Sequence, residues 1–341
     1  MKTFHYKSQF TFETGASLPE ISIAYHTFGQ LNAAKDNVVW VCHHLTANSN
    51  AVDWWPGMIG TGYIINPEEH FIVCANILGS CYGTTGPLAI NPETNEPYYS
   101  DFPFPTMRDM VKAHILLREH LGIEKINLLI GGSMGGYQAL EWCIMEKDVI
   151  VKMILLATSP VESAWGIAIH TAQRLAIEAD ATWKDHSRIA GAKGLKAARA
   201  IGMLTYRNYS IMVQNQTDSD NEKMDEFKAS SYINFQGEKL VRRFHAYCYW
   251  LLTKSMDSHN IARGRGARIE TILQTIQQPV LLIGVTNDIL CPLEQQQVMA
   301  DNIPSSTFVT IDSTYGHDGF MVETKKISAH ILQWMKTISR R

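Results

Sequence analysis

The segment Gly131-Gly132-Ser133-Met134-Gly135-Gly136 follows the apolar run INLLI and leads into YQALEWCIM, whose pattern fits a helix. A G-x-S-x-G at a strand-to-helix turn holds its serine in a strained backbone conformation, with glycines where side chains would clash. The free N–H groups of the following helix then point toward the serine, where negative charge develops during acyl transfer. The chemistry implied is attack by Ser133 on an acyl carbon. A Gly-rich turn serving only close packing is the plainer alternative.

A serine hydroxyl is a poor nucleophile at neutral pH and needs a histidine base oriented by a carboxylate. After such a turn the acid is expected before the base in the chain. Of the 13 histidines, only His317 sits in a Gly-flanked loop, STYGHDGF, just after a short β run from Thr307 to Ile311. The acid belongs at the end of the preceding strand, where PVLLIGVTND ends on Asp288. Asp301, within a helical pattern, and Asp312, at the end of the last strand, fit less well. An oxyanion needs two N–H donors, one from the residue after the nucleophile, Met134, and one from an early loop. That loop reads His43-His44-Leu45-Thr46-Ala47-Asn48, with Leu45 as the donor. No metal is expected at His43 and His44, because strand neighbours face opposite sides and no Cys or carboxylate pattern accompanies them.

Positioning these groups requires a rigid scaffold. Continuous apolar runs recur at Asn37 to His44, His70 to Asn76, Ile126 to Gly132, Val151 to Thr158 and Pro279 to Val285. Runs of this kind mark strands buried on both faces, as in a parallel sheet covered by helices. Helical patterns at Met107 to His120, Met134 to Glu146 and Leu293 to Asp301 supply the crossovers, and a final helix is expected around Lys326 to Ile338. Near the N-terminus, Phe10 to Glu13 and Ile21 to Tyr25 flank Gly15 as in an antiparallel hairpin. From about Trp165 to Arg268 the sequence turns Ala-rich and mixed in charge, without a buried strand. The expected organisation is an α/β core from residues 1–164 and 269–341, with a helical lid inserted at 165–268.

The 341 residues are 45% hydrophobic and 18% charged, enough for a sizeable core and inconsistent with disorder. With 30 Lys+Arg against 33 Asp+Glu, no basic field calls for nucleic acid or an anionic membrane. The six cysteines are scattered without a C-x-x-C pair and read as reduced thiols of a cytoplasmic protein. No apolar stretch follows Lys2 to make a secretory leader, and none is long enough for a membrane span.

Several stretches together resemble the homoserine O-acetyltransferases of the α/β-hydrolase superfamily. They are DWWPGMIG (53–60), NILGSCYGTTGP (76–87), INPET (90–94), DFPFPTMRDMV (101–111), GGSMGGYQALEW (131–142), MLTYR (203–207), FQGEKLVRRF (235–244) and DSTYGHDGFMVE (312–323). Coverage is nearly the whole chain, and the cysteine-containing loop with YGHD is more specific than G-x-S-x-G. The resemblance implies an α/β-hydrolase fold with a mostly parallel sheet. It implies transfer of an acyl group from acetyl-CoA, or succinyl-CoA, through Ser133 to L-homoserine, in methionine biosynthesis and with no permanently bound cofactor. It further implies that Arg207 binds the substrate carboxylate, that Asp318 binds its ammonium group, and that lid helices join two copies into a homodimer. A guanidinium fork suits a carboxylate.

The chain departs from the family pattern at Ala47-Asn48, where Gly-Asp is expected, and at His245-Ala246-Tyr247, where Asp-Ala-Asn is familiar. Homoserine O-succinyltransferase and serine O-acyltransferase activities of the same family remain alternatives. So does a serine hydrolase or thioesterase of the same fold, which would share Ser133, Asp288 and His317.

Overall fold

A computed structural model describes residues 1–339. Its strands are β1 (Lys2–Tyr6), β2 (Phe10–Thr11), β3 (Ser17–Leu18), β4 (Ile21–Phe28), β5 (Val38–Cys42), β6 (Phe71–Ala75), β7 (Leu128–Gly132), β8 (Met153–Leu156), β9 (Val280–Val285) and β10 (Ser306–Ile311). Eight of them form one sheet in the order β1-β4-β6-β5-β7-β8-β9-β10. From β6 to β10 every neighbour pairs in parallel, while β4 and β1 join antiparallel. This is the mostly parallel α/β sheet expected from the apolar runs.

Parallel strands need a crossover, and the helical patterns provide it. The helices are α1 (Ala51–Trp54), α2 (Met107–His120), α3 (Met134–Met145), α4 (Ala164–Glu178), α5 (Ala192–Tyr206), α6 (Tyr209–Gln216), α7 (Lys228–Val241), α8 (Ala246–Asp257), α9 (Ile269–Leu273), α10 (Leu293–Asn302), α11 (Gly319–Val322) and α12 (Thr324–Ile338). Side chains alternate across a strand, so a continuous apolar run feeds two cores. In β5, Val38, Trp40 and Cys42 join a cluster with Met110, Leu117 and Trp142 of α2 and α3. Val39 and Val41 join the opposite cluster, with Ile327, Ile331 and Trp334 of α12.

The N-terminal hairpin differs from expectation. Phe10–Thr11 pairs with Ser17–Leu18 around Gly15, whereas Ile21–Phe28 pairs with Lys2–Tyr6 on one side and Phe71–Ala75 on the other. β1 is half-exposed and polar, KTFHY, as an edge strand is, so it lacks the apolar run that marks the interior strands. Between β8 and β9 the chain leaves the sheet for helices α4 to α8, over the stretch read as helical. His245 stands at the N-cap of α8, where its Nδ1 accepts the Tyr247 N–H at 3.2 Å. A histidine thereby does the capping work for which an aspartate is the common choice. Among the described residues no helix is long and apolar enough to cross a membrane.

Candidate active site

Ser133 occupies the turn between β7 and α3 with φ 53° and ψ −128°, a conformation costly for a side-chain-bearing residue. Two glycines allow it. A Cβ on Gly131 would collide with the carbonyl of Gly135, and one on Gly135 with the carbonyl of Cys42. The Ser133 carbonyl accepts the Thr158 hydroxyl at 2.9 Å, which ties the turn to the end of β8. Neither Leu45 nor Met134 has an acceptor for its N–H among the described residues. Leu45 lies in the loop after β5 and Met134 at the start of α3.

His317 sits on a single helical turn after β10, Gly316–Asp318, and is buried. Its Nε2 is 2.8 Å from Ser133 Oγ, and its Nδ1 is 2.7 Å from Asp288 Oδ2. The other Asp288 oxygen accepts the N–H groups of Leu290 at 2.8 Å and Cys291 at 2.9 Å, which fixes the carboxylate plane. The alternative acids lie elsewhere: Asp301 accepts from the Gln297 amide and Asp312 from the Thr286 hydroxyl. Burial disfavours a charged His317, yet the charge and hydrogen bond of Asp288, backed by Asp318 and Glu162, outweigh it. Its pKa therefore stands above the ordinary 6.5.

These groups open onto a cavity of about 310 Å³, lined also by Leu45, Arg207, Asp318, Glu162 and Tyr206. Arg207, at the end of α5, brings Nε to 2.9 Å from Asp318 Oδ2. The contact is an ion pair without hydrogen-bond alignment, so the buried Nε–H still lacks an acceptor. Burial pushes the Asp318 carboxyl up, against the pull of Arg207 and His317. All seven residues picked from the sequence thus lie in or beside one cavity.

The adjacent histidines lie just past the end of β5, not within it, and have different surroundings. His43 is buried, contacts the His44 carbonyl through Nδ1 at 2.8 Å and accepts the Ile77 N–H at 3.3 Å. Burial pushes its pKa down to about 4. His44 lies edge-on to Trp54 and Phe320, and burial holds its pKa well below the ordinary histidine value, with His43 and Arg243 adding to the effect. Asp288, Cys291 and His317 bring ligand-type atoms within 4.8 Å of one another. Two of them are already bonded together, and burial holds the Cys291 thiol well above its usual pKa, so the thiolate a metal prefers is disfavoured.

Three lining residues escaped the sequence reading as site groups. Arg243, within the quoted FQGEKLVRRF, donates to the Thr46 carbonyl at 2.5 Å and to the Tyr82 hydroxyl at 2.8 Å, bracing the Leu45 loop from the end of α7. Tyr137, one turn along α3, donates to Glu162 at 3.0 Å. Glu162 carries no motif and could not have been singled out. At the Ala47-Asn48 departure, Leu45 and Thr46 line the cavity, while the Asn48 carbonyl accepts the Trp54 indole N–H at 2.8 Å.

Comparison with known proteins identifies the family. The α/β-hydrolase fold family model matches residues 37–324. A homoserine O-acetyltransferase of Cyclobacterium marinum is 47% identical over 324 residues, covering 95% of this chain and 92% of that protein. One from Chlorobaculum parvum is 44% identical, covering 94% of this chain and 90% of its own. Among solved structures, the homoserine O-acetyltransferase of Bacillus anthracis superposes with a TM-score of 0.88 at 25% identity, covering 96% of both chains. An acetylester hydrolase from Corynebacterium glutamicum has the same fold, with a TM-score of 0.87 at 19% identity over 98% of this chain and 95% of its own.

Proposed function

This chain belongs to the homoserine O-acetyltransferase family of the α/β-hydrolase fold, and from that premise we propose that it carries acetyl from acetyl-CoA to L-homoserine through an acyl-Ser133 intermediate. It is an acyltransferase by family. The observation that carries the mechanism is the hydrogen-bonded series Ser133–His317–Asp288, at 2.8 and 2.7 Å, opening on the cavity that also holds Arg207 and Asp318.

His317 Nε2 takes the Ser133 proton as Oγ attacks the thioester carbon, while Asp288 keeps the imidazole oriented and stabilises the imidazolium. The oxyanion lies between the N–H groups of Met134 and Leu45. Collapse of the tetrahedral adduct breaks the C–S bond, and His317 returns its proton to the leaving CoA thiolate. Homoserine then enters. Arg207, whose Nε–H awaits an acceptor, receives its carboxylate, and Asp318 attracts its ammonium group. His317 removes the hydroxyl proton as that oxygen attacks the acyl-enzyme, and the proton returns to Ser133 as O-acetyl-L-homoserine departs. This ping-pong sequence supplies activated homoserine for methionine synthesis, a cytoplasmic role that suits six cysteines without a disulfide.

Water competes for the acyl-enzyme, so a transferase gains from a covered nucleophile. Helices α4 to α8 supply Glu162-side and Arg207-side walls of the cavity and act as its lid. A second copy of the chain covers the apolar side chains they expose, with Leu204 64% and Tyr209 80% exposed. Sedimentation would then return a dimer, and Leu204→Glu with Tyr209→Glu a monomer.

The deciding assay follows CoA thiol release from acetyl-CoA and succinyl-CoA, with and without L-homoserine or L-serine. Release that requires homoserine and prefers acetyl-CoA is expected. Equally fast release without any amino acid would make water the acceptor and replace this reading with a thioesterase.

A further inference from the structure

Glu162 is a buried carboxyl in the cavity, 8% exposed, with no ionic partner among the described residues. It lies between β8 and α4 and is held in place by two donors. Its Oε1 accepts the Ser163 N–H at 2.9 Å and its Oε2 accepts the Tyr137 hydroxyl at 3.0 Å. Tyr137 is itself clamped by stacking on His259, with ring centroids 4.0 Å apart. The first turn of α4 makes room for the carboxyl: a Cβ on Gly166 would collide with Oε1. A buried acid set into such a seat without a cation costs stability. The nearby imidazole, His170, is already turned through Nδ1 to Asp257 at 2.8 Å. Burial accordingly pushes the Glu162 carboxyl up, while His170, the Ser163 N–H and the Tyr137 hydroxyl oppose it.

The cavity's other acid is differently placed. Asp318 already faces the guanidinium of Arg207 at 2.9 Å, so a cationic side chain stands beside it before any substrate arrives. A zwitterionic amino acid brings one anion and one cation. Arg207 answers the anion, and the unmatched acid on the cavity wall is Glu162.

We propose that Glu162 is a specificity-determining residue for the acceptor, receiving the ammonium group of the incoming amino acid together with Asp318. The inference rests on the amino-acid acceptor reading above. Asp318 also holds the guanidinium of Arg207, and the bound ammonium gives Glu162 the ionic partner that no side chain supplies among the described residues. An acceptor with a hydroxyl and a carboxylate but no amino group leaves that acid unmatched and is disfavoured.

The test compares L-homoserine with 4-hydroxybutanoate, which keeps the hydroxyl and carboxylate and lacks the amino group, each as acceptor or as competitive ligand. In Glu162→Gln, which keeps the shape and the Ser163 contact, the preference for homoserine over 4-hydroxybutanoate should fall roughly tenfold or more, the worth of a charged hydrogen bond. Glu162→Asp, which retains the charge, should recover part of that preference and serves as the measurement if the Gln variant does not fold. An unchanged preference in both variants overturns the proposal, as does an equal loss on the two acceptors. If the unaltered protein releases CoA thiol without needing homoserine, the acceptor reading itself has failed, an outcome visible before any variant is made.

Discussion

His317 Nε2 lies 2.8 Å from Ser133 Oγ, although 184 positions separate the two residues in the chain. The distance is that of a formed hydrogen bond, so the proposed base and nucleophile are preorganised before substrate binds. Each carrier is a tight turn after the C-terminal end of a parallel strand of the one sheet, β7 and β10, with β8 and β9 between them. The relative position of the two side chains is therefore inherited from strand register rather than from a mobile loop.

Removing either member of that pair should eliminate turnover. Ser133→Ala and His317→Ala are each expected to lower the rate of homoserine-dependent thiol release by about 10⁴-fold or more. Far-ultraviolet circular dichroism checks that the variants fold. A variant retaining more than a few per cent of the activity would remove that residue from the proposed triad.

Arg207→Lys should act mainly on the acceptor. One ammonium cannot reproduce the planar fork, so KM for homoserine is expected to rise about tenfold while acetylation of the enzyme by acetyl-CoA changes little. Steady-state kinetics with each substrate varied in turn makes the separation. An unaltered homoserine KM would place the carboxylate elsewhere.

The acid limb of the pH profile should report His317. Burial favours the neutral ring, but Asp288 more than offsets it, so the pKa is raised above 6.5. A base with a raised pKa is protonated and inactive below that value. The kcat/KM for acetyl-CoA should therefore climb with pH through a midpoint above 6.5 and then level. A midpoint below 6.5 would mean that Asp288 is not the dominant influence on His317.

His245 offers a stability measurement remote from the chemistry. Its Nδ1 must be unprotonated to accept the Tyr247 N–H, and burial lowers its pKa. The folded state then binds fewer protons than the unfolded one, so this contribution is present above the ordinary histidine pKa and is lost as pH falls below it. His245→Ala should cost about 1 kcal/mol in urea unfolding at pH 8. The difference from the unaltered protein should shrink at pH 5 to about half or less, as the histidine cap is protonated away. A pH-independent difference would show that packing, not the cap, is what the substitution removes.

Much of the scaffold was legible because its signals are local. Parallel strands buried on both faces must be apolar throughout, so Val38–Cys42, Leu128–Gly132 and Val280–Val285 stand out as runs. The bounds of α2, Met107–His120, coincide with the sequence expectation, and Thr106 and Asp109 form a capping box at its start. β1 did not stand out, since an edge strand needs no apolar run and its partner lies beyond an intervening hairpin.

The sequence by itself determined the strained serine turn, the chain order of the candidate nucleophile, acid and base, and the alternation of strand and helix. Each of these follows from backbone sterics or side-chain periodicity over a few residues. Only the tertiary structure decided that Asp288, and neither Asp301 nor Asp312, faces His317, that Arg207 and Asp318 are already paired, and that Glu162 is buried in the cavity beside Tyr137. Such relationships join residues far apart in the chain. They depend on which strands become neighbours and how the α4 to α8 helices close over them, and no short stretch of sequence encodes that packing.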